Sequence, residues 1–462
     1  MDKHQPAELP LSRSHNERER PAPRGRGIFL SFVAFIFFSS LLHPTTRCYH
    51  PAQKLYDHCR PRTIEQRVTT ILTTTPLIDG HNDLAILLRV LYNNQIYGKN
   101  FTEPFEKGGM AGHVDLPRLR DGLNGGAFWS VFTPCPANGT NWSDENYAAS
   151  VQFTLHQVDL MTRLQQAYPR DFSGIPLDSN AAWSAFHQGK FVSPLGIEGL
   201  HQIGNSVSNL RRFHAMGVRY ATLTHNCGNI YADAALQENP VRVAPPHWGG
   251  VSPEGKLLIN EMNRIGMLVD LSHVSADTMR HVLGGRKEWA GSKAPVMFSH
   301  SSAHAICPHP RNVPDDVLQL VKKTNSVVMV NFAPDFVSCT KSDNENGMPD
   351  FFPANSTLAH VADHITYIGN LIGYDHVGLG SDFDGIESTP EGLDDVSKYP
   401  NLFAELLARG VSDTDAAKIA GGNILRVWKD VEEVAAKMQA DGEPVLEDKL
   451  PSLGFGALAS YM

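Results

Sequence analysis

Short apolar runs recur along the chain, and stretches of helical periodicity separate them. The runs fall at 76–80, 127–132, 192–197, 218–224, 266–271, 295–299, 325–331 and 376–381. They are rich in Val, Ile and Leu and pass into Gly, Ser or Asn, as buried parallel strands do on leaving a sheet. Helix-like stretches lie at 61–74, 151–168, 208–217, 252–266, 275–285, 314–323 and 360–373. Several open on a Ser or Pro-Asp cap signal and several close at Gly; Ser252-Pro253-Glu254 places Pro in a first turn. Strand–helix alternation sustained over roughly 300 residues predicts parallel βαβ units. Eight strands predict an α/β fold closed as a (β/α)8, TIM-type barrel with insertions. No GxGxxG follows the first strand, so a dinucleotide-binding sheet is not supported.

Six of the runs end in residues that bind metals or handle protons. LIDGHND presents His81 and Asp83, GIEG presents Glu198, and YATLTH presents His225. LVDLSH presents His273, VMFSH presents His300, and HVGLGSD presents Asp382. Side chains that converge at strand C-termini are how such a barrel builds an active site. The second run, AFWSVF, and the seventh, ending at Asn331, supply no obvious ligand.

The first segments of the chain form a separate module. Residues 1–26 are polar, rich in Pro and Arg, and expected to be a disordered tail. The segment 27–43 contains IFLSFVAFIFFSSLL (28–42), 15 residues without a charge, after Arg18, Arg20, Arg24 and Arg26. That is short for a membrane span of about 20 residues and long for a signal core of about 7–15. A type II signal anchor is expected, with a cleaved signal as the alternative. Either carries the rest of the chain into the secretory lumen or outside. A connector (44–60), the barrel (61–435) and a C-terminal tail (436–462) follow. Sequons at Asn100, Asn138, Asn141 and Asn355 and an even count of six cysteines agree with export. The net charge of −9, without a basic stripe or finger spacing, excludes an obvious nucleic-acid partner.

His81 and Asp83 stand at i and i+2 of a strand and share a face, so one imidazole and one carboxylate can bind one ion together. Glu198 has two oxygens and can bridge two cations; alone it would read equally as a helix-capping acid. His273 and His300 follow equivalent strands, and neutral imidazoles suit zinc. Asp270 and Ser272 both compete to orient these ligands. Five such groups predict two ions about 3.5–4 Å apart with a bridging hydroxide as nucleophile. Asp382 would then carry the proton, with Asp384 and Asp395 as competitors, and His225 would steady the oxyanion. Arg311 has two readings, a clamp for a substrate carboxylate or a salt bridge to Asp315 or Asp316. His156, His187, His214, His281 and His364 sit in helical stretches and read as structural or surface residues.

Taken together, DGHND, HVDLPRL, FWSVFTPC, GIEG, YATLTHN, LVDLSHVS, FSHSSA, RNVPDDVL, VMVNF, GLGSDFDG and GGNILRV resemble the membrane (renal) dipeptidase family over roughly residues 64–430. The resemblance implies that His81 and Asp83 hold one zinc, Glu198 bridges, and His273 and His300 hold the second. It implies substrate contacts from His225 and Arg311, proton transfer by Asp382, and disulfides Cys135–Cys227 and Cys307–Cys339. It also implies dipeptide substrates, tolerance of a D residue at the C-terminal position, action on Cys-Gly conjugates, and a homodimer. Cys48 and Cys59 fall outside the match. The chain departs from the family in having no tail for a GPI anchor, for which residues 28–42 can substitute, and in Phe336 where a Tyr would fit. The segment GGRKEWAGSK between His273 and His300 reads as a lengthened surface loop. Two rivals remain open: another dinuclear amide, lactam or ester hydrolase on the same barrel, and a membrane-anchored binding protein with a degenerate site.

Overall fold

The computed structural model describes residues 62–175 and 178–449. The polar tail, the apolar segment 28–42, the whole connector with Cys48 and Cys59, and residues 450–462 of the C-terminal tail lie outside the described residues. Among the described residues no helix is long and apolar enough to cross a membrane.

All eight expected strands form. They are β1 (Leu77–Asn82), β2 (Asn124–Ser130), β3 (Leu195–Glu198), β4 (Val218–Thr222), β5 (Leu268–Asp270), β6 (Met297–Phe298), β7 (Val327–Val330) and β8 (Val377–Leu379). Each pairs in parallel with the next, and β8 returns to β1 through Asp79 and Leu379, closing the barrel. Strands this short and this buried suit a closed parallel sheet, where neither face meets water.

The helices follow the predicted periodicity, with differences at their ends. One expected from Val151 begins at Asp144 and runs to Ala167, because the Ser143 side chain accepts from Asn146 N and two acids fill the first turn. The helix Pro253–Ile265 starts where Ser252 and Pro253 predicted, and Gly266 ends it in the left-handed region at φ 82°. Helices at Leu84–Tyr92, Ser179–His187 and Tyr399–Ala408 were not legible as separate elements.

The final helix, Asn423–Ala440, runs past the boundary expected at 435. Beyond it, Asp448 accepts from Val207 N at 2.6 Å and Ser208 N at 2.9 Å. These are free donors in the first turn of the helix Val207–Ala215, so the segment around Asp448 is docked on the barrel. The final helix also seals the barrel floor. Its Asn423 amide bonds Tyr374 O and Val377 O at the start of β8. Its Trp428, Ile424 and Leu425 join Ile78, Phe128, Tyr220, Leu268, Met297 and Met329 in one buried cluster. A second cluster fills the space between the strands and the surrounding helices. With the floor closed, the strand C-termini form the open end.

Trp428 is fully buried and lies 5.6 Å, centroid to centroid, from Phe128. Trp428→Ala should destabilise the barrel by about 3–5 kcal/mol, read as a lower urea midpoint. A midpoint within error of the parent would show that the floor plug contributes little.

Candidate metal centre

Six of the eight strands deliver the predicted groups to the open end. His81 lies within β1, and Asp83 follows it as the cap residue of the next helix. Glu198 is the last residue of β3. His225, His273, His300 and Asp382 follow β4, β5, β6 and β8 within a few residues. His273, Asp382 and Asp384 have φ of 66–67°, a left-handed backbone that non-glycine residues rarely adopt and that clusters at functional sites. Asp382 N donates to His81 O at 3.1 Å, joining the ends of β8 and β1.

Glu198 divides its two oxygens between two sets of ligands. Oε2 lies 3.6 Å from His81 Nε2, which is itself 3.1 Å from Asp83 Oδ2. Oε1 lies 2.8 Å from His273 Nε2 and 3.3 Å from His300 Nε2. The two imidazole nitrogens are 3.0 Å apart. Asp382 Oδ1 is 3.9 Å from His81 Nε2. His81, Asp83 and Glu198 thus form one ligand group, and Glu198, His273 and His300 a second.

Hydrogen bonds decide where the imidazole protons sit. His273 Nδ1 is 3.0 Å from Asn226 Oδ1, which only accepts, so Nδ1 carries the proton. Ser299 donates its single hydroxyl proton to Asp270 at 2.7 Å, so at 2.8 Å it must accept from His300 Nδ1. Both facing Nε2 atoms therefore present lone pairs to each other and to a Glu198 oxygen. That convergence repels unless a cation lies within it. Asp83 Oδ1 is also buried without a hydrogen-bond partner. The donor set fits divalent metal, and imidazole with carboxylate suits zinc.

The electrostatics agree. Burial would lower the His81 imidazole, but the Glu198 and Asp83 carboxylates outweigh it and raise it to about 10. Burial pushes Glu198 up to about 8, with Asp83 and Asp382 adding to it against the pull of His81. Burial and the nearby Arg311 hold His273 well below the ordinary range.

Two buried carboxylates hold this constellation in place. Asp270 accepts from Thr222 Oγ1, Ser272 N, Ser299 N and Ser299 Oγ, and so reaches His300 through Ser299. Ser272 has a separate role, its Oγ accepting from His300 N. Both candidates for orienting residues are thus used. Asp79, which the sequence did not single out, accepts from His81 N, Ser381 N, Ser381 Oγ and Tyr399 OH. Tyr220 OH lies 2.7 Å from His81 Nδ1. Asn331, read as a blank strand end, donates to Asp382 Oδ2 at 3.1 Å. Gly385 is required for space, since a Cβ there would lie 2.2 Å from Asp83 Oδ2.

The competitors of Asp382 are engaged elsewhere. Asp384 accepts from His113 N, and Asp395 caps Ser397 and faces Arg118 at 3.5 Å. The salt-bridge reading of Arg311 is overturned. Asp315 accepts from Tyr367 OH and Asp316 pairs with Arg280, while Arg311 is buried with its Nε unpartnered. Its guanidinium stacks 5.1 Å from the Phe336 ring. Burial lowers Arg311 to about 10, against the pull of Asp382 and Glu198.

Among the helical histidines read as structural or surface, His364 bonds Ala303 N and Val337 O, and His281 accepts from Val251 N. Cys135–Cys227 and Cys307–Cys339 are both disulfide-bonded. Asn100, Asn138, Asn141 and Asn355 are all exposed. The segment GGRKEWAGSK is a largely exposed turn tied down by Arg286–Asp277 and His281–Glu288 pairs.

The sequence profile of a family described as membrane dipeptidase (peptidase family M19) matches residues 65–442. The chain is 45% identical over 437 residues to dipeptidase aclJ of Aspergillus oryzae, covering 94% of each protein. It is 44% identical over 384 residues to dipeptidase tcpJ of Claviceps purpurea, covering 83% of each. The solved dipeptidase AC, a family M19 metallopeptidase, superposes with a TM-score of 0.64 at 26% identity, over 78% of this chain and 99% of that one.

Asp270→Ala should lower metal affinity by about 10–100-fold, read by chelator competition, because the serine that orients His300 loses its anchor. Asp395→Asn, on the Arg118 side, should retain metal like the parent. Equal affinities for both variants would remove Asp270 from the support of the site.

Proposed function

The chain belongs to the membrane dipeptidase family, peptidase family M19, and on that premise we propose that it hydrolyses free dipeptides at a centre of two zinc ions bridged by Glu198. The division of the two Glu198 oxygens between separate ligand groups carries this reading. His81, Asp83 and Glu198 would hold one ion, and Glu198, His273 and His300 the other. Bound there, the ions supply charge that lowers the pKa of water and polarises the scissile carbonyl.

The remaining residues divide the rest of the chemistry. Asp382 takes a proton from the attacking water and delivers it to the leaving amine. The hydrogen bond from Asn331 to Oδ2 fixes the carboxylate and leaves Oδ1 facing the ligands. His225 is held well below its ordinary range by burial, next to His201 and Arg311. A neutral imidazole there donates to the developing oxyanion. Arg311 grips the substrate's C-terminal carboxylate in bidentate fashion, and its unpartnered Nε, with no carboxylate in ion-pair contact among the described residues, supports this role. Phe336 packs against the guanidinium and limits its rotation. This clamp favours a dipeptidase over a lactam or ester hydrolase, because those substrates need no free carboxylate.

Export of the barrel remains part of the proposal, as does anchoring through residues 28–42. Two disulfides support an oxidising compartment.

A panel of Gly-D-Ala, Cys-Gly and a C-terminally amidated control, with and without chelator, tests the reading. The free dipeptides should be cleaved only with zinc present, and the amide should resist. Arg311→Ala should lower kcat/KM by the equivalent of about 2–5 kcal/mol. Asp382→Asn should lower kcat by roughly 10²–10⁴-fold. A protein that holds two zincs and cleaves none of the panel would end the dipeptidase reading.

A further inference from the structure

Arg311 gives the dipeptide's carboxylate a partner but leaves its α-ammonium without one. Glu238 offers the opposite charge at the same site. It follows the short strand Leu236–Gln237, and its Oε1 lies 3.5 Å from His225 Nδ1. Its side chain is 33% exposed, so it is half-buried yet open to a solute. Among the described residues no Lys or Arg lies within ion-pair distance, and His225 is the one basic side chain there. Burial raises the Glu238 carboxyl, with the Asn226 side chain acting against it. A carboxylate partly removed from water without a cation is unfavourable until a ligand supplies one.

The surroundings provide room for that ligand. Glu238 lines a cavity of about 720 Å³ together with Cys135, Asn226, Trp142 and Trp248. The cavity adjoins the metal centre, because Asn226 bonds His273 and Cys135 Sγ lies 3.6 Å from His225 Nδ1. Its wall is fixed before any ligand arrives. Asp233 accepts from His247 N, Trp248 N and Gly250 N, and the Trp248 indole donates to Asn229 O at 2.9 Å. The Cys135–Cys227 disulfide ties two sides of the wall together.

We propose that Glu238 receives the α-ammonium of the dipeptide, so that the free amine is read beside His225 while Arg311 reads the free carboxylate. The proposal rests on the dipeptidase reading. It adds a second charge test, and the two together select a zwitterion of two residues. A longer peptide fails at Arg311, and an N-acylated one fails at Glu238.

The test compares the zinc-loaded parent with Glu238→Gln on a cleaved dipeptide and on its desamino analogue, in which hydrogen replaces the α-amine. The parent should prefer the free amine by roughly 100-fold in kcat/KM. Glu238→Gln should lose roughly 10–100-fold on the dipeptide, chiefly in KM, and change less than about 2-fold on the analogue. An unchanged thermal midpoint and zinc content confirm that the isosteric variant is folded and loaded. Amine selectivity that survives the substitution overturns the proposal. So does an equal fall in kcat on both substrates, which would make Glu238 a positioning residue for His225. Turnover of the dipeptide by the parent is read in the same assay and stands separately from the selectivity ratio.

Discussion

The organising constraint of this protein is a buried convergence of lone pairs and negative charge around Glu198. Three imidazole nitrogens and the carboxylates of Asp83, Glu198 and Asp382 meet with almost no exposure to water. Such a set is unfavourable by itself, since it is shielded from water and little fixed positive charge offsets it. Arg311 is the one permanently positive side chain that bears on both Glu198 and Asp382, and it is set back against Phe336. The fold therefore holds in place an arrangement that divalent metal completes.

The barrel supplies the rigidity this requires. Each ligand leaves a short strand whose backbone is paired on both sides, and the floor beneath is closed by Trp428 and its neighbours. Asp79 and Asp270 act as two internal anchors. Each gathers four donors from its own and neighbouring elements and so fixes the loop that carries a candidate ligand. The orientation of His300 is transmitted through Ser299, so a serine stands between carboxylate and imidazole where direct contact is the commoner arrangement.

In the proposed reading, the charges beside the ligand groups would also set the size of the substrate. Among the described residues, Arg311 has no carboxylate within ion-pair distance and Glu238 has no Lys or Arg, its one basic neighbour being His225. They are matched in sign to the two ends of a zwitterion. Chemistry and length selection would then be separable, the strand ends providing the first and the loops after β4 and β6 the second.

Much of this was legible in the chain. All eight strands, the placement of the candidate ligands at their ends and both disulfide pairs follow from apolar runs, strand periodicity and the family motifs. They were readable because a buried parallel strand must be apolar throughout, and a ligand must follow it directly. Other features were not readable because they depend on partners far apart in sequence. Asp79 meets Tyr399, Asn331 meets Asp382, and Asp448 caps a helix more than two hundred residues earlier. Arg311 could be a clamp or a salt bridge until folding sent Asp315 to Tyr367 and Asp316 to Arg280. Glu238 has no motif at all, and it gains meaning only when its loop is laid beside His225. The sequence determined which residues can bind and react, since that is fixed by side-chain chemistry and strand period. Only the tertiary structure decided which charges are left without partners, because pairing across the barrel is a property of distance in space.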